Sequence, residues 1–261
     1  MRRTLILSDI HFCKRGSTVT SVEQLRPLWQ GYDELVLNGD TSELHCAQHT
    51  EKAGQAVESV KKMTAKDNVE LTIICGNHDP TISDIEHKWF CDKKVLVFHG
   101  HAPIVGGAPW SWRYKHFAES FNKQLQETGN GFDEQLSAVR TASIQSATGA
   151  FNEHRPSLFR LALSIAPAII KIVKCWKRYP TVVSMWADTF APSAKCIITG
   201  HTHHAGIWKR EGKTIINTGC FGFPSHPRAV EISGTKITIY KIKKNNGAYG
   251  RGSVCASWDA L

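Results

Sequence analysis

The sequence predicts an α/β protein whose sheet is covered by helices on both faces. Short apolar, β-rich runs recur along the chain, and stretches with helical periodicity lie between several of them. Each run is followed within two residues by Asp, Gly or His. Folds of this class gather their ligands at the carboxyl ends of strands, which is where these polar residues fall.

The runs are Leu5-Ile6-Leu7, Leu35-Val36-Leu37, Leu71-Thr72-Ile73-Ile74, Val95-Leu96-Val97-Phe98 and Cys196-Ile197-Ile198. Their length and β-branched content suit buried strands. Between the second and third, residues 51–66 place Ala53, Val57, Val60 and Met63 or Thr64 on one helical face. From about residue 110 to 188 the rhythm breaks. Tyr114, Phe117, Phe121 and Leu125 repeat at helical spacing, and Gly129-Asn130-Gly131 supplies a turn. Leu158, Leu161, Ala162, Ile165, Ile169, Ile172, Val173 and Trp176 form another helical pattern, which Pro167 is expected to kink or split. We read residues 109–188 as a helical insertion (a cap or lid) on a core formed by residues 1–108 and 189–261. Residues 213–243 read as three strands, with turns at 222–227 and at Ser233-Gly234. The tail after Asn245, rich in Gly and Asn, is expected to be loosely ordered.

A chain of 261 residues with 41% hydrophobic and 21% charged residues can bury a substantial core. Its net charge of +9 points to an anionic partner: a phosphorylated small molecule, an acidic membrane surface or nucleic acid. The eight cysteines are scattered, with no Cys-x-x-Cys pair, and Cys75 and Cys196 adjoin or lie in apolar runs. Reduced thiols and a cytoplasmic location are the expectation. Ser8-Asp9 interrupts the first apolar run too early for a secretory signal.

The chemistry sits in an ordered set of short segments: Ser8-Asp9-Ile10-His11, Asn38-Gly39-Asp40, Gly76-Asn77-His78-Asp79, Phe98-His99-Gly100 and Gly200-His201-Thr202-His203, backed by Asn217-Thr218-Gly219. In extended backbone, residues two apart project to the same side. Asp9 with His11, and His201 with His203, can therefore each deliver two ligands to one pocket. Asp40 follows a glycine that lets the backbone approach closely, and one aspartate can bridge two cations. Asn77 adds a neutral oxygen and His99 an imidazole. Mixed oxygen and nitrogen ligands without thiolate suit Mn²⁺, Fe²⁺ or Zn²⁺. A lone Asp-x-His or Gly-Asp is ordinarily a surface loop, so the ordered set carries the reading. His45, His49, His87, His116, His154 and His226 are read as surface residues. His101 and His204 adjoin the expected ligands and could orient them.

In this order the segments resemble the calcineurin-like metallophosphoesterase superfamily, from Asp9 to about Gly219 outside the insertion. The resemblance implies a four-layer α/β/β/α sandwich. It implies one metal held by Asp9, His11, Asp40 and His203, and a second held by Asp40, Asn77, His99 and His201, with Asp40 bridging. Mn²⁺ is the first choice for both ions. His78 would stand beside them as a catalytic acid, oriented by Asp79. The implied activity is hydrolysis of a phosphodiester or pyrophosphate bond by a metal-bridging hydroxide, with the cations roughly 3.5–4 Å apart. The Asp-Arg-Gly expected of protein Ser/Thr phosphatases after Gly-Asp is missing.

The insertion bears on the substrate. Arg113, Lys115, Lys174 and Lys177 are candidate phosphate contacts. The apolar run of residues 161–170 is too short to span a bilayer, but a basic, apolar helix suits a lid or a peripheral membrane contact. A helical insertion between His-Gly and Gly-His-x-His is similar to UDP-2,3-diacylglucosamine pyrophosphatases of the lipid A pathway, which release UMP from a lipid-linked substrate. This chain has His78 where those enzymes typically carry Arg, and Thr41-Ser42 before Glu43 where they carry x-Phe-Glu. A phosphodiesterase is therefore the leading reading, with the lipid enzyme as the alternative. Nucleic acid is not favoured, because the basic residues concentrate in an apolar helical stretch. A non-enzymatic scaffold on the same fold is the remaining alternative, although no substitution is seen among the expected ligands.

Overall fold

The computed structural model describes residues 1–104, 114–147, 158–222 and 226–260, with backbone alone at 147 and 158–166. Its strands are β1 (Arg3–Leu7), β2 (Glu34–Asn38), β3 (Glu70–Ile74), β4 (His87–Phe90), β5 (Val95–Phe98), β6 (Cys196–Thr199), β7 (Gly206–Arg210), β8 (Lys213–Asn217), β9 (Arg228–Ser233), β10 (Lys236–Asn245) and β11 (Ala248–Asp259). Its α-helices are α1 (Arg26–Trp29), α2 (Thr50–Lys66), α3 (Tyr114–Thr128), α4 (Phe132–Ala147) and α5 (Leu158–Phe190).

Two sheets form. One has the order β11-β10-β9-β1-β2-β3 and the other β4-β5-β6-β8-β7. Strands β1, β2 and β3 run parallel, as do β5, β6 and β8. The period-two alternation of each strand then divides its side chains between layers. Ile6, Val36 and Ile74 face inward and meet Val95, Val97, Ile198 and Ile216 of the other sheet. Leu5, Leu7, Leu35 and Leu37 face outward and pack with Leu28 and Trp29 of α1 and Val57 and Val60 of α2. On the far side Leu96, Phe98, Ile197 and Ile215 pack with Phe117, Val139, Val183 and Trp186 from α3, α4 and α5. Each such side chain fully withdrawn from water contributes about 1.5–3 kcal/mol, so three apolar layers fix the four-layer α/β/β/α sandwich.

Of the segment expected to form a helical cap, α3, α4 and the carboxyl half of α5 serve as the outer layer of the second sheet. Helix α5 is not split at Pro167; it continues through Pro167 and Pro180. The buried Tyr179, Val183 and Trp186 around Pro180 tie this turn to the sheet, and their burial offsets the roughly 3 kcal/mol a mid-helix proline costs. Among the described residues no helix is long and apolar enough to cross a membrane.

A second expectation also fails. The tail after Asn245 is not loose: β11 pairs with β10 from Asn245↔Ala248 to Lys236↔Asp259. Asn246 (φ 49°) and Gly247 (φ 83°) both adopt left-handed backbone, the requirement of a two-residue type I′ hairpin turn. The Gly and Asn that suggested disorder are the turn residues of a strand pair.

Candidate metal centre

All the segments singled out by the sequence lie at the carboxyl ends of parallel strands. Asp9 and His11 follow β1, Asp40 follows β2, and Asn77 follows β3. His99 follows β5, and His201 and His203 follow β6. Because both sheets point these ends the same way, the loops meet over the inter-sheet layer. Backbone bonds join them: Asp9 N–H to Gly39 O (3.1 Å), His11 N–H to Asp40 O (2.9 Å) and Gly200 N–H to His99 O (2.9 Å).

The approach is close enough to require glycine at several points, Gly76 and Gly200 among them. A Cβ on Gly76 would collide with the Asp40 amide, and one on Gly200 with the Asp9 carboxylate. Five of the expected ligands also hold left-handed backbone: Asp9, His11, Asp40, His201 and His203, with φ between 50° and 67°. For non-glycine residues this costs on the order of 1 kcal/mol each, a strain that clusters at functional sites.

Two donor sets result. In the first, the His11 and His203 Nε2 atoms lie 3.0 Å apart, Asp40 Oδ2 is 3.6 Å from His11, and Asp9 Oδ1 is 3.3 Å from His203. In the second, Asn77 Oδ1 lies 3.1 Å from His99 Nε2 and 2.8 Å from His201 Nδ1. Asp40 Oδ1 is 3.4 Å from the same His99 Nε2. The two oxygens of Asp40 therefore address different sets. The structure brings together Asp9, His11, Asp40, Asn77, His99, His201 and His203.

These residues fit a pair of divalent cations. All donors are nitrogen or oxygen, and Asp9 and Asp40 are buried with His11, His99 and His201. The His99 Nδ1–H donates to the Asn38 carbonyl at 3.0 Å, which leaves the Nε2 lone pair facing Asp40 and Asn77. The electrostatics carry the same signature. Burial opposes charge on His99, but the Asp40 carboxylate prevails and raises its pKa to about 9. Burial likewise opposes charge on His203, yet Asp9 lifts it to about 10. Burial, reinforced by Lys14, pushes His11 well down. Carboxylates this deeply buried attract whatever positive charge can reach them, a proton or a metal.

The environment of His78 corrects one expectation. Asp79 does not orient it. The Asp79 carboxylate accepts backbone N–H groups from Gly76 (2.8 Å), Asp40 (3.0 Å), Thr41 (2.7 Å) and Ser42 (3.1 Å), tying the β2 and β3 loops together. Burial and neighbouring Asp40 push its pKa up to about 7, and the amide donors act against that rise. The partner of His78 is Glu43, whose Oε1 accepts from Nδ1 at 2.8 Å. Lys14 Nζ stands 3.4 Å from the His78 Nε2 and 3.4 Å from the His11 Nδ1. Neither Glu43 nor Lys14 was a sequence candidate, though each lies three residues after an expected ligand. His45, read as a surface residue, is half-buried and stacks on His78 at 6.0 Å.

The neighbouring histidines separate. His101 is buried with its ring 5.2 Å from that of His99, and neither of its ring nitrogens has a hydrogen-bond partner among the described residues. His204 stacks on Trp176 of α5 at 4.6 Å. Of the candidate phosphate contacts, Lys115 and Lys177 are exposed, Lys174 lines a cleft beside α5, and Arg113 lies outside the described residues.

No protein-family model matches the chain, and no curated protein matches it. Solved structures do. A dimetal phosphatase from Danio rerio is 13% identical and aligns over 100% of this chain and 99% of its own, with a TM-score of 0.50. Vps29 from Cryptosporidium parvum is 13% identical over 99% of this chain and 98% of its own, with a TM-score of 0.46. A conserved uncharacterised protein from Streptococcus pneumoniae, titled a predicted phosphoesterase, is 14% identical over 97% of each chain, with a TM-score of 0.42. Likeness at this identity speaks to the fold alone, the two-sheet α/β architecture shared with the dimetal phosphatase.

Proposed function

We propose that the protein is a dinuclear-metal phosphoesterase that hydrolyses a phosphodiester or pyrophosphate bond. The observation that carries this is the placement of Asp40, whose two oxygens face two separate donor sets, one with His11 and one with His99. Two divalent cations held there, Mn²⁺ first, would supply the nucleophile and neutralise charge on the attacked and departing oxygens. The chain's own residues do the rest. Asp9, Asp40, Asn77 and the four imidazoles would hold the ions. His78, anchored by Glu43 and facing Lys14, is placed to protonate the leaving oxygen.

The test is a Mn²⁺-supplemented turnover panel with bis- and mono-nitrophenyl phosphate, cyclic nucleotides, single-stranded DNA and a UDP-linked diacyl sugar. Hydrolysis of the diester above the monoester is the expected result. Protein that binds two ions yet turns over none of these would instead be a scaffold on the same fold. One observation favours a lipid-linked substrate as a second reading: Ile169, Ile170 and Val173 of α5 are exposed beside its cations. Selective release of UMP from the diacyl sugar would promote it. A cytoplasmic setting, peripheral to a membrane if the substrate is a lipid, accompanies the proposal and is supported by eight cysteines that form no disulfide.

A further inference from the structure

Beside the metal loops, α5 and the turn after His101 enclose a cleft of about 410 Å³, lined by Pro103, Ile104, Tyr114, Tyr179 and Val182. That volume is in the range of small-molecule sites. Lys171, Lys174 and Arg178 project into it from one face of α5, at positions i, i+3 and i+7. Among the described residues, no acidic side chain lines the cleft.

The ion pairing around the three cations bears on what they could hold. The carboxylate of α5 nearest in sequence, Asp188, is taken by Lys213. None of Lys171, Lys174 or Arg178 is ion-paired among the described residues. Three like charges on one helix face repel one another, and an anion bound between them relieves that repulsion.

The cleft is also fastened to the metal centre. The Tyr179 hydroxyl donates to the Gly100 carbonyl at 2.9 Å, between His99 and His101. Trp176 Nε1 donates to the Thr202 carbonyl at 2.8 Å, between His201 and His203. One turn of α5 thus holds the His99 and His201 loops, two of those that build the second donor set. Pro103 stands four residues after His99, so even fully extended chain separates them by no more than about 14 Å.

We infer that the substrate carries a second phosphate, separated from the scissile one by a sugar-sized spacer and held by Lys171, Lys174 and Arg178. This rests on the phosphoesterase reading for the role of the cleft, but not for the existence of the anion site. Binding is therefore measured on metal-free protein, where hydrolysis plays no part.

The probe is adenosine 3′,5′-bisphosphate, titrated calorimetrically at low and at moderate ionic strength, with AMP and adenosine beside it. The expected order is bisphosphate, then AMP, then adenosine, with affinity falling as salt rises. The exposed triple variant K171Q/K174Q/R178Q should weaken bisphosphate binding by roughly 10-fold or more, and Lys177→Gln on another face should not. In turnover, the triple variant should raise KM for a bisphosphorylated ester by a larger factor than KM for bis-nitrophenyl phosphate, which carries no second phosphate. Equal binding of bisphosphate by wild type and triple variant would overturn the inference. So would retention of the wild type on phosphatidylglycerol vesicles that the soluble bisphosphate does not compete away. Failure of every ester to turn over, with bisphosphate binding intact, would remove the phosphoesterase reading and leave the anion site standing.

Discussion

Glu34 and Asp40 bracket β2, both carboxylates are buried, and the protein treats them in opposite ways. At the amino end, Glu34 accepts the Thr4 hydroxyl at 3.0 Å and the Thr72 hydroxyl at 2.8 Å, and pairs with Lys88. Every lone pair there meets a donor the chain itself supplies. At the carboxyl end, Asp40 accepts one backbone N–H, from His78 at 2.8 Å, and otherwise faces imidazole nitrogens. Glu34 stands in regular strand, whereas Asp40 and four ligands around it hold left-handed backbone. One end is a closed electrostatic account. The other is strained and complete only with added positive charge. A buried carboxylate is therefore no sign of a site by itself; what distinguishes a site is a surround of convergent acceptors.

The sharpest break is Asp40→Asn. Removing the shared carboxylate charge should reduce the bound metal from two ions towards one or none, and lower turnover by roughly 1000-fold. Thermal melts check it independently of substrate. Mn²⁺ at 100 times its Kd should stabilise the wild type by about 2.7 kcal/mol, and the variant by much less. Equal metal stabilisation of the two proteins would end the bridging assignment. Next in size is His78→Ala, which should keep both ions and lose about 100-fold in kcat. Glu43→Gln, leaving the imidazole present but less firmly held, should lose less and displace the pH profile of kcat. An unchanged profile would return Glu43 to a structural role.

At the other end of β2, Lys88→Met should destabilise by about 2 kcal/mol, because it leaves buried Glu34 with only the half-exposed Arg2, 3.4 Å away, as a charge partner. Metal content should not change. The same pair sets an acid limb. Burial pushes the Glu34 pKa up, but Lys88 with the Thr72 and Thr4 hydroxyls outweighs it and holds Glu34 below the ordinary glutamate value. A depressed folded pKa gives stability that is present above the unfolded value of about 4.3 and lost as pH falls through the folded one. The melting-temperature gap between wild type and Lys88→Met should therefore be wide at pH 7 and narrow towards pH 3. A gap that widens on acidification would reverse the sign.

What the sequence disclosed follows the same divide. Residues that converge on the metal centre announce themselves in order, because each sits a fixed step beyond a strand that periodicity reveals. Glu43 and Lys14 were silent, since loop residues have no period and their meeting with His78 depends on how the β1, β2 and β3 loops are knit. Edge strands β4 and β7 escaped because they are short and half-exposed, and α4 because its apolar face is weakly marked. Pro167 misled because local propensity was overruled by packing further along α5.

The smallest test concerns the tail, where composition pointed the wrong way. Gly247 has φ of 83° and open space around its missing Cβ, so Gly247→Ala meets no clash and costs only the left-handed backbone, about 1 kcal/mol. Gly76→Ala is the opposite case: its added Cβ would strike the Asp40 amide and disturb the metal centre. Gly247→Ala should lower the melting temperature by about 2–4 °C and speed amide exchange in β11, with metal content and turnover intact. Gly76→Ala should lose metal. If Gly247→Ala left exchange in β11 unaltered, the I′ turn would not be what pins the hairpin. The pairing would then depend on side chains such as Tyr249, whose hydroxyl donates to the Thr18 hydroxyl at 2.7 Å.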